Sequence, residues 1–203
     1  MNNLSNTAKK LDKVFEIAHT VLGALAIACV VLVSLIGLSY ILKMDPSSVG
    51  TDYNALTLGF LELEIADNVV PNQWLVLLQF SILLIVSCRL CVDGRKGVGY
   101  IRQILQPMKE EKPFDSIVST NLKKLARLSI NLGILFNIIV LSEQIMTVYI
   151  YDLPGLLISE KITHVTSMYD VDLTFLVFWA IFTLLSYVFQ YGEGLQQLSD
   201  ETL

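Results

Sequence analysis

An all-α membrane protein is the fold class this sequence predicts: a four-transmembrane-helix bundle with a small strand-containing cap on its extracytoplasmic side. Three observations lead there. The 203 residues are 54% hydrophobic and only 16% charged, against roughly a quarter charged in an ordinary soluble domain. The apolar residues collect in four blocks rather than spreading along the chain, and Lys and Arg fall almost wholly on one side of those blocks. That distribution excludes an ordinary soluble enzyme, a disordered tail and a secreted disulfide scaffold.

The spans follow in order. Residues 20–42 are 23 positions without a charge, flanked by Lys13 and Lys43. The second span covers about 72–92 and is uncharged to Cys88, with Arg89 able to snorkel at its end. The third, about 127–150, is uncharged from 128 to 142, meets Glu143 and continues apolar to Ile150. The fourth, 173–191, has 19 uncharged residues. A helix needs about 20 residues to cross the hydrocarbon core, and backbone groups in lipid must be satisfied within the segment, so these blocks are helices. Lys9, Lys10 and Lys13 before an apolar run resemble a signal peptide, but the run continues 13 residues past Cys29. That is longer than a signal needs, so span one is expected to be retained.

Three basic residues precede span one, nine lie from Arg89 at the end of span two to Arg127 at the start of span three, one lies in each of the other two loops, and none follows span four. The positive-inside rule therefore places both termini, the loop 93–126 and the tail 192–203 in the cytoplasm. The outer loops 43–71 and 151–172 are acidic. The whole chain, 1–203, reads as one four-span domain.

The outer loops carry some pattern. Leu56, Leu58 and Phe60 alternate with other residues, and so do Leu61, Leu63 and Ile65, with the phase flipping next to Gly59. Period-two alternation predicts a half-buried strand, bulged or bent at that glycine. The β-branched 158–166 segment of the second loop is the expected partner, giving a small sheet as a cap over the bundle; the other reading is a flexible acidic loop. In the inner loop, Asp93-Gly94-Arg95-Lys96-Gly97 predicts a basic turn, because Gly97 and Gly99 disfavour a continuing helix. Ile101, Ile104, Leu105 and Met108 then form the apolar stripe of a short helix lying in the headgroup region. Arg95, Lys96 and Arg102 are the candidates for contact with anionic lipid at the inner leaflet. Asp115 reads as an N-cap, and Ile117, Asn121, Leu122, Leu125 and Leu128 keep helical spacing from there. One long helix is predicted, from about 115 to 150.

Glu143 is the most informative single residue. A carboxylate inside a span costs a few kcal/mol on insertion scales and normally faces protein or water. Gln144 adjoins it, and Asn137 lies one heptad before Gln144. Two readings stand: a proton-, ion- or ligand-responsive carboxyl group in the outer half of the bundle, or an interfacial or hydrogen-bonded side chain. Cys88 and Cys91 share a helix face near His19, but structural zinc wants four ligands and a fourth is not evident. Cys29, in span one, reads as too far from them for a disulfide. No metal or cofactor is expected. P-loop, His-Glu-x-x-His and Gly-x-Ser-x-Gly motifs are absent from the sequence, so no enzymatic activity is expected. The basic loop has Tyr100 and Phe114 as its aromatics, which argues for lipid over direct nucleic-acid binding.

Two motifs carry a family resemblance. Pro113-Phe114 stands ahead of the helix leading into span three, and the chain ends Gly192-Glu193-Gly194-Leu195-Gln196-Gln197-Leu198-Ser199-Asp200-Glu201-Thr202-Leu203. Together they resemble the small bacterial four-helix membrane proteins of domain-of-unknown-function family 2975. Leu198 stands where that pattern expects a polar or acidic residue. The resemblance implies a bacterial plasma-membrane protein, often encoded beside a small helix-turn-helix transcription regulator, and supplies no activity. It favours signalling. The expectation is a non-enzymatic sensor or scaffold holding such a regulator through Pro113, Phe114, Gly192, Leu195, Gln196, Asp200, Glu201, Thr202 and Leu203. The alternative is a subunit of a small oligomeric transporter or channel working through Glu143. A homo-oligomer fits either reading.

Overall fold

The computed structural model describes residues 2–41, 55–58, 61–64, 72–110, 112–150, 152, 155 and 171–201. Four long helices dominate them: α1 (Asn2–Ile41), α2 (Gln73–Lys109), α3 (Ser116–Ile150) and α4 (Thr174–Glu201). Each is long and apolar enough to cross a membrane, which suggests a multi-pass membrane protein.

The helix starts follow local chemistry. Asn72 caps α2 by accepting the Leu75 N–H on its side-chain oxygen at 3.4 Å. Asp115 caps α3, its Oδ1 accepting the Ile117 N–H at 2.8 Å. Two expectations for the inner loop fail. The basic turn and the separate surface helix are both absent, because α2 runs unbroken through 93–97 to Lys109. Arg89 and Lys96 pair with Asp93 at i−4 and i+3, each at 2.9 Å, and a Cβ on Gly97 would come within 2.9 Å of Leu128. These contacts outweigh the roughly 1 kcal/mol that a helical glycine costs. The apolar stripe meant for lipid packs on α3 instead: Ile104 joins Val118, Leu122 and Leu125 in the buried core, with Tyr100, Ile101 and Met108 against it.

Ala55–Leu58 (β1) and Leu61–Glu64 (β2) pair antiparallel, Leu58 opposite Leu61 and Ala55 opposite Glu64. The expected strand cap over the bundle is not supported. Among the described residues the two strands pair only with each other, and no helix packs on them. The expected partner segment 158–166 lies outside the described residues. A local hairpin closes a far shorter loop than a pairing across the chain, and so costs less entropy.

The helices do not close into a bundle. α1 packs on α2, α2 on α3 and α3 on α4, with no other pairing of helices among the described residues. The result is an open row. The uncharged runs of α1, α2 and α3 share a level: the Cys88 thiol donates to the Ala26 carbonyl at 3.7 Å, and the Asn72 N–H donates to the Ile150 carbonyl at 3.1 Å. α4 is staggered. Asn137 meets Asp172, Gly133 lies under Phe175, Ser186 meets Ser119, and Phe114 meets Phe189. The uncharged run of α4 therefore flanks residues 114–137, among them Lys123, Lys124 and Arg127 of α3. It is displaced toward the basic end by about 20 Å of helical rise.

The best-packed core also lies at that basic end, where Phe182 and Phe189 of α4 cover the α3 side of the cluster. In the run of α1, by contrast, Leu25, Ile27, Val30, Val31, Leu32 and Leu35 all stand exposed. Water drives apolar burial; lipid supplies no such force between helices.

Candidate functional site

The basic end is held by ion pairs that cross from α1 to α2. Asp12 accepts Arg102 Nε at 2.9 Å and Lys109 Nζ at 2.6 Å, and Glu16 lies 3.9 Å from Arg102. The hydrogen bonds from Lys109 and then Arg102 hold the Asp12 carboxyl below the usual carboxylate range. Ser5 Oγ adds a bond to the Lys109 carbonyl at 3.2 Å. The three side chains expected at lipid headgroups thus have protein partners. Arg102 serves Asp12, Lys96 serves Asp93, and Arg95 Nε donates to His19 Nε2 at 3.2 Å while its guanidinium lies over Gly23. His19 is thereby occupied. Asp93 is 2% exposed; Arg89 Nε approaches its Oδ2 at 2.9 Å as an ion pair, yet that oxygen takes no hydrogen bond.

The two halves of the family-like pattern meet in space. Phe114 and Phe189 have ring centroids 5.9 Å apart, and a methyl on Gly192 would run into the Phe114 ring. Glycine at 192 lets α4 pass close to the turn that carries Pro113 and Phe114. Lys123 Nζ donates to Gln190 Oε1 at 3.1 Å beside this contact. These residues form an intramolecular lock. Leu195, Gln196 and Glu201 are exposed along the last turns of α4, and Asp200 lies on the same helix. Thr202 and Leu203 lie outside the described residues.

Between the last turns of α2 and the first of α3 is a cleft of ≈ 390 Å³ in which Gln103, Gln106, Thr120, Asn121 and Lys124 stand beside Pro107 and Ile117. Lys124 donates to Asn121 Oδ1 at 3.3 Å and lies 5.4 Å from the Tyr100 ring centroid. Gln103 and Gln106 on α2 and Thr120 and Asn121 on α3 let the cleft donate and accept hydrogen bonds on both walls. Nothing in the spacing of 103–106 and 120–124 announces it, because it exists only where two helix ends converge.

Within the apolar region the intramembrane candidates are not brought together. Asn137 is 8% exposed. Its Nδ2 donates to the carbonyls of Asp172 and Gly133, at 2.8 and 2.9 Å, and its Oδ1 accepts the Asp172 N–H at 2.8 Å. It fastens the start of α4 to α3. A second cavity of ≈ 440 Å³ adjoins it, lined by Leu90, Gly133, Phe136, Thr174 and Phe178. Gln144 is half-buried, whereas Glu143 is exposed, about 120° round the helix from Asn137. Among the described residues the Glu143 carboxylate takes no hydrogen bond or ion pair.

Cys29 stands beside span two: the Cys88 thiol, one turn from Cys91, donates to the carbonyl of Ala26, one turn from Cys29. The helices α1 and α2 are aligned there, so a separation of some sixty residues in the chain vanishes. Among the described residues no group of three His, Cys, Asp or Glu is arranged to hold a metal. Sequence reasoning missed Asp12 and Asp172, whose partners are distant in the chain. It also missed the pairing of Asp93 with Arg89 and Lys96, because a turn was expected there and helical spacing was not applied. No family model matches the chain, no curated protein resembles it and no solved structure shares its fold at a significant level.

Proposed function

We propose that this protein is a non-enzymatic membrane sensor or scaffold whose basic end, in the cytoplasm, docks a soluble regulator. One observation carries the reading. The buried core Ile104, Val118, Leu122 and Leu125 lies at the charged ends of α2 and α3, beyond their uncharged runs. Apolar clustering there is the mark of a head folded in water, and this head carries the cleft at its far end, where α2 and α3 meet. The resemblance noted above names the class of partner, a small helix-turn-helix regulator, and a bacterial plasma membrane as the location. Anionic headgroups at the rim of the head belong to the same proposal, and the exposure of Lys9, Lys10 and Lys13 supports a role for them there.

The test is recovery of a partner from native membranes in mild detergent. The full chain is compared with Thr120→Arg, which fills the cleft, and with a chain ending at Ser199, which keeps the Phe114–Gly192 contact. A DNA-binding protein recovered with the full chain and lost from either variant supports the proposal. No such protein with the full chain, or equal recovery from all three, overturns it. The second reading is a transporter or channel subunit, favoured by the exposed carboxylate of Glu143 within an apolar segment. Under it, Glu143→Gln abolishes flux in vesicles without unfolding the protein; unchanged flux removes it.

A further inference from the structure

We infer that the outward face of α4 is a seam for a second copy of this chain, the two α4 helices pairing as a parallel coiled coil. Val177, Ile181, Leu184, Val188, Tyr191, Leu195 and Leu198 follow one another at alternating spacings of four and three. That is the heptad repeat of a coiled coil, with Ile181, Val188 and Leu195 at a and Val177, Leu184, Tyr191 and Leu198 at d. β-Branched residues at a with Leu at d favour two parallel strands. Topology adds the same constraint, since copies in one membrane share an orientation.

All seven side chains are exposed, from 45% at Ile181 to 71% at Tyr191. At 100° per residue the stripe lies opposite the face that Phe175, Phe182, Ser186 and Phe189 turn to α3. Between 173 and 191 almost every position is apolar, so lipid would cover such a face as well as protein would. Two features separate the cases. The stripe continues past Gly192 into a polar segment, where Leu195 and Leu198 are its apolar positions, 51% and 61% exposed on a helix that holds to Glu201. The stagger of α4 also places Leu195 and Leu198 beyond the level of Lys123, which Gln190 meets, where α1, α2 and α3 are charged and water, not hydrocarbon, is the medium.

The charges agree. In this register Glu193 and Asp200 fall at f, the position farthest from the seam, and only Glu201 flanks it. Gly194 occupies g, where a small residue lets two backbones approach, and a Cβ there would meet nothing within 4 Å in a single copy. Leu198, the departure from the family-like ending, is a d residue of this seam.

Oxidative cross-linking in native membranes tests the seam. Cys29, Cys88 and Cys91 are replaced by Ser, and single cysteines are introduced as Leu184→Cys, Val188→Cys, Leu195→Cys and Leu198→Cys. Gln197→Cys is the control that is exposed but off the seam, and Phe189→Cys the control facing α3. The expected result is a disulfide-linked band at twice 22.7 kDa at the four seam positions and little at either control. No dimer band at the seam, a band as strong at Gln197→Cys, or cross-linking to a different protein overturns the seam. Light scattering provides an independent reading: Leu195→Asp with Leu198→Asp raises the dimer dissociation constant by about tenfold or more with helical content unchanged. An unaltered dimer in that variant is a refutation too.

Discussion

Replacing Gly133 with alanine tests the close approach of α3 and α4. A methyl at that position would fall on Cβ and Cγ of Phe175. Those atoms lie next to the α4 backbone, so rotating the ring does not clear them; α4 must move away. Overpacking of this kind costs about 1–3 kcal/mol. The shift also strains the bonds between Asn137 and Asp172, one turn away, at 2.8 Å each; such bonds average about 0.6 kcal/mol in membrane proteins. Against this, alanine gains about 1 kcal/mol over glycine in a helix. The net expectation is a loss of about 2 kcal/mol. Gly99, also helical, would meet nothing within 4 Å if given a Cβ, so Gly99→Ala should stabilise by up to about 1 kcal/mol. The assay is reversible unfolding in mixed micelles, followed by circular dichroism, with the two variants side by side. If Gly133→Ala proves as stable as Gly99→Ala, the contact between α3 and α4 is not as described.

Four further outcomes follow. Because Lys109 and Arg102 hold the Asp12 carboxyl low, its contribution to stability is complete above the unfolded value of about 3.9. It is lost as pH falls through the lower folded value, so melts across acidic pH should show a decline that Asp12→Asn lacks. Gly192→Val should force Phe114 off Phe189 and lower the melting temperature, a change that Gly192→Val combined with Phe114→Ala partly restores. Asn137→Ala should cost about 1 kcal/mol or more and expose the start of α4 to hydrogen exchange, whereas Glu143→Gln should leave stability within about 0.5 kcal/mol of the parent. Ser186, fully buried, donates to the Ser119 carbonyl at 3.1 Å, and Ser186→Leu should separate α3 from α4 and abolish cooperative unfolding.

Much of the secondary structure was legible from local pattern. The four apolar runs announce four helices, and Asp115 ahead of a helical stripe announces the start of α3. The break expected at 93–97 was wrong because glycine propensity is a local quantity. The side chains that override it, Leu128 above all, arrive from another helix. The strands β1 and β2 pair with each other, so alternation identified strand residues but not their partner. Phe114 and Gly192 stood out as motif residues, yet nothing in the chain says that they touch. The charges of Arg95, Lys96 and Arg102 are plain in sequence; that His19, Asp93 and Asp12 engage them is not.

What the sequence by itself determined is what depends on each segment alone: helix existence, length, apolar content and the asymmetry of charge. Tertiary structure decided how the segments stand beside one another. The helices form an open row, α4 sits about 20 Å toward the basic end, and the packed core lies beyond the apolar runs. The physical reason is that composition sets the medium a helix tolerates, whereas its level and its partner are chosen by contacts such as Gly133 with Phe175 and Asn137 with Asp172. Those contacts join residues some forty positions apart, and each exists only after the faces have met.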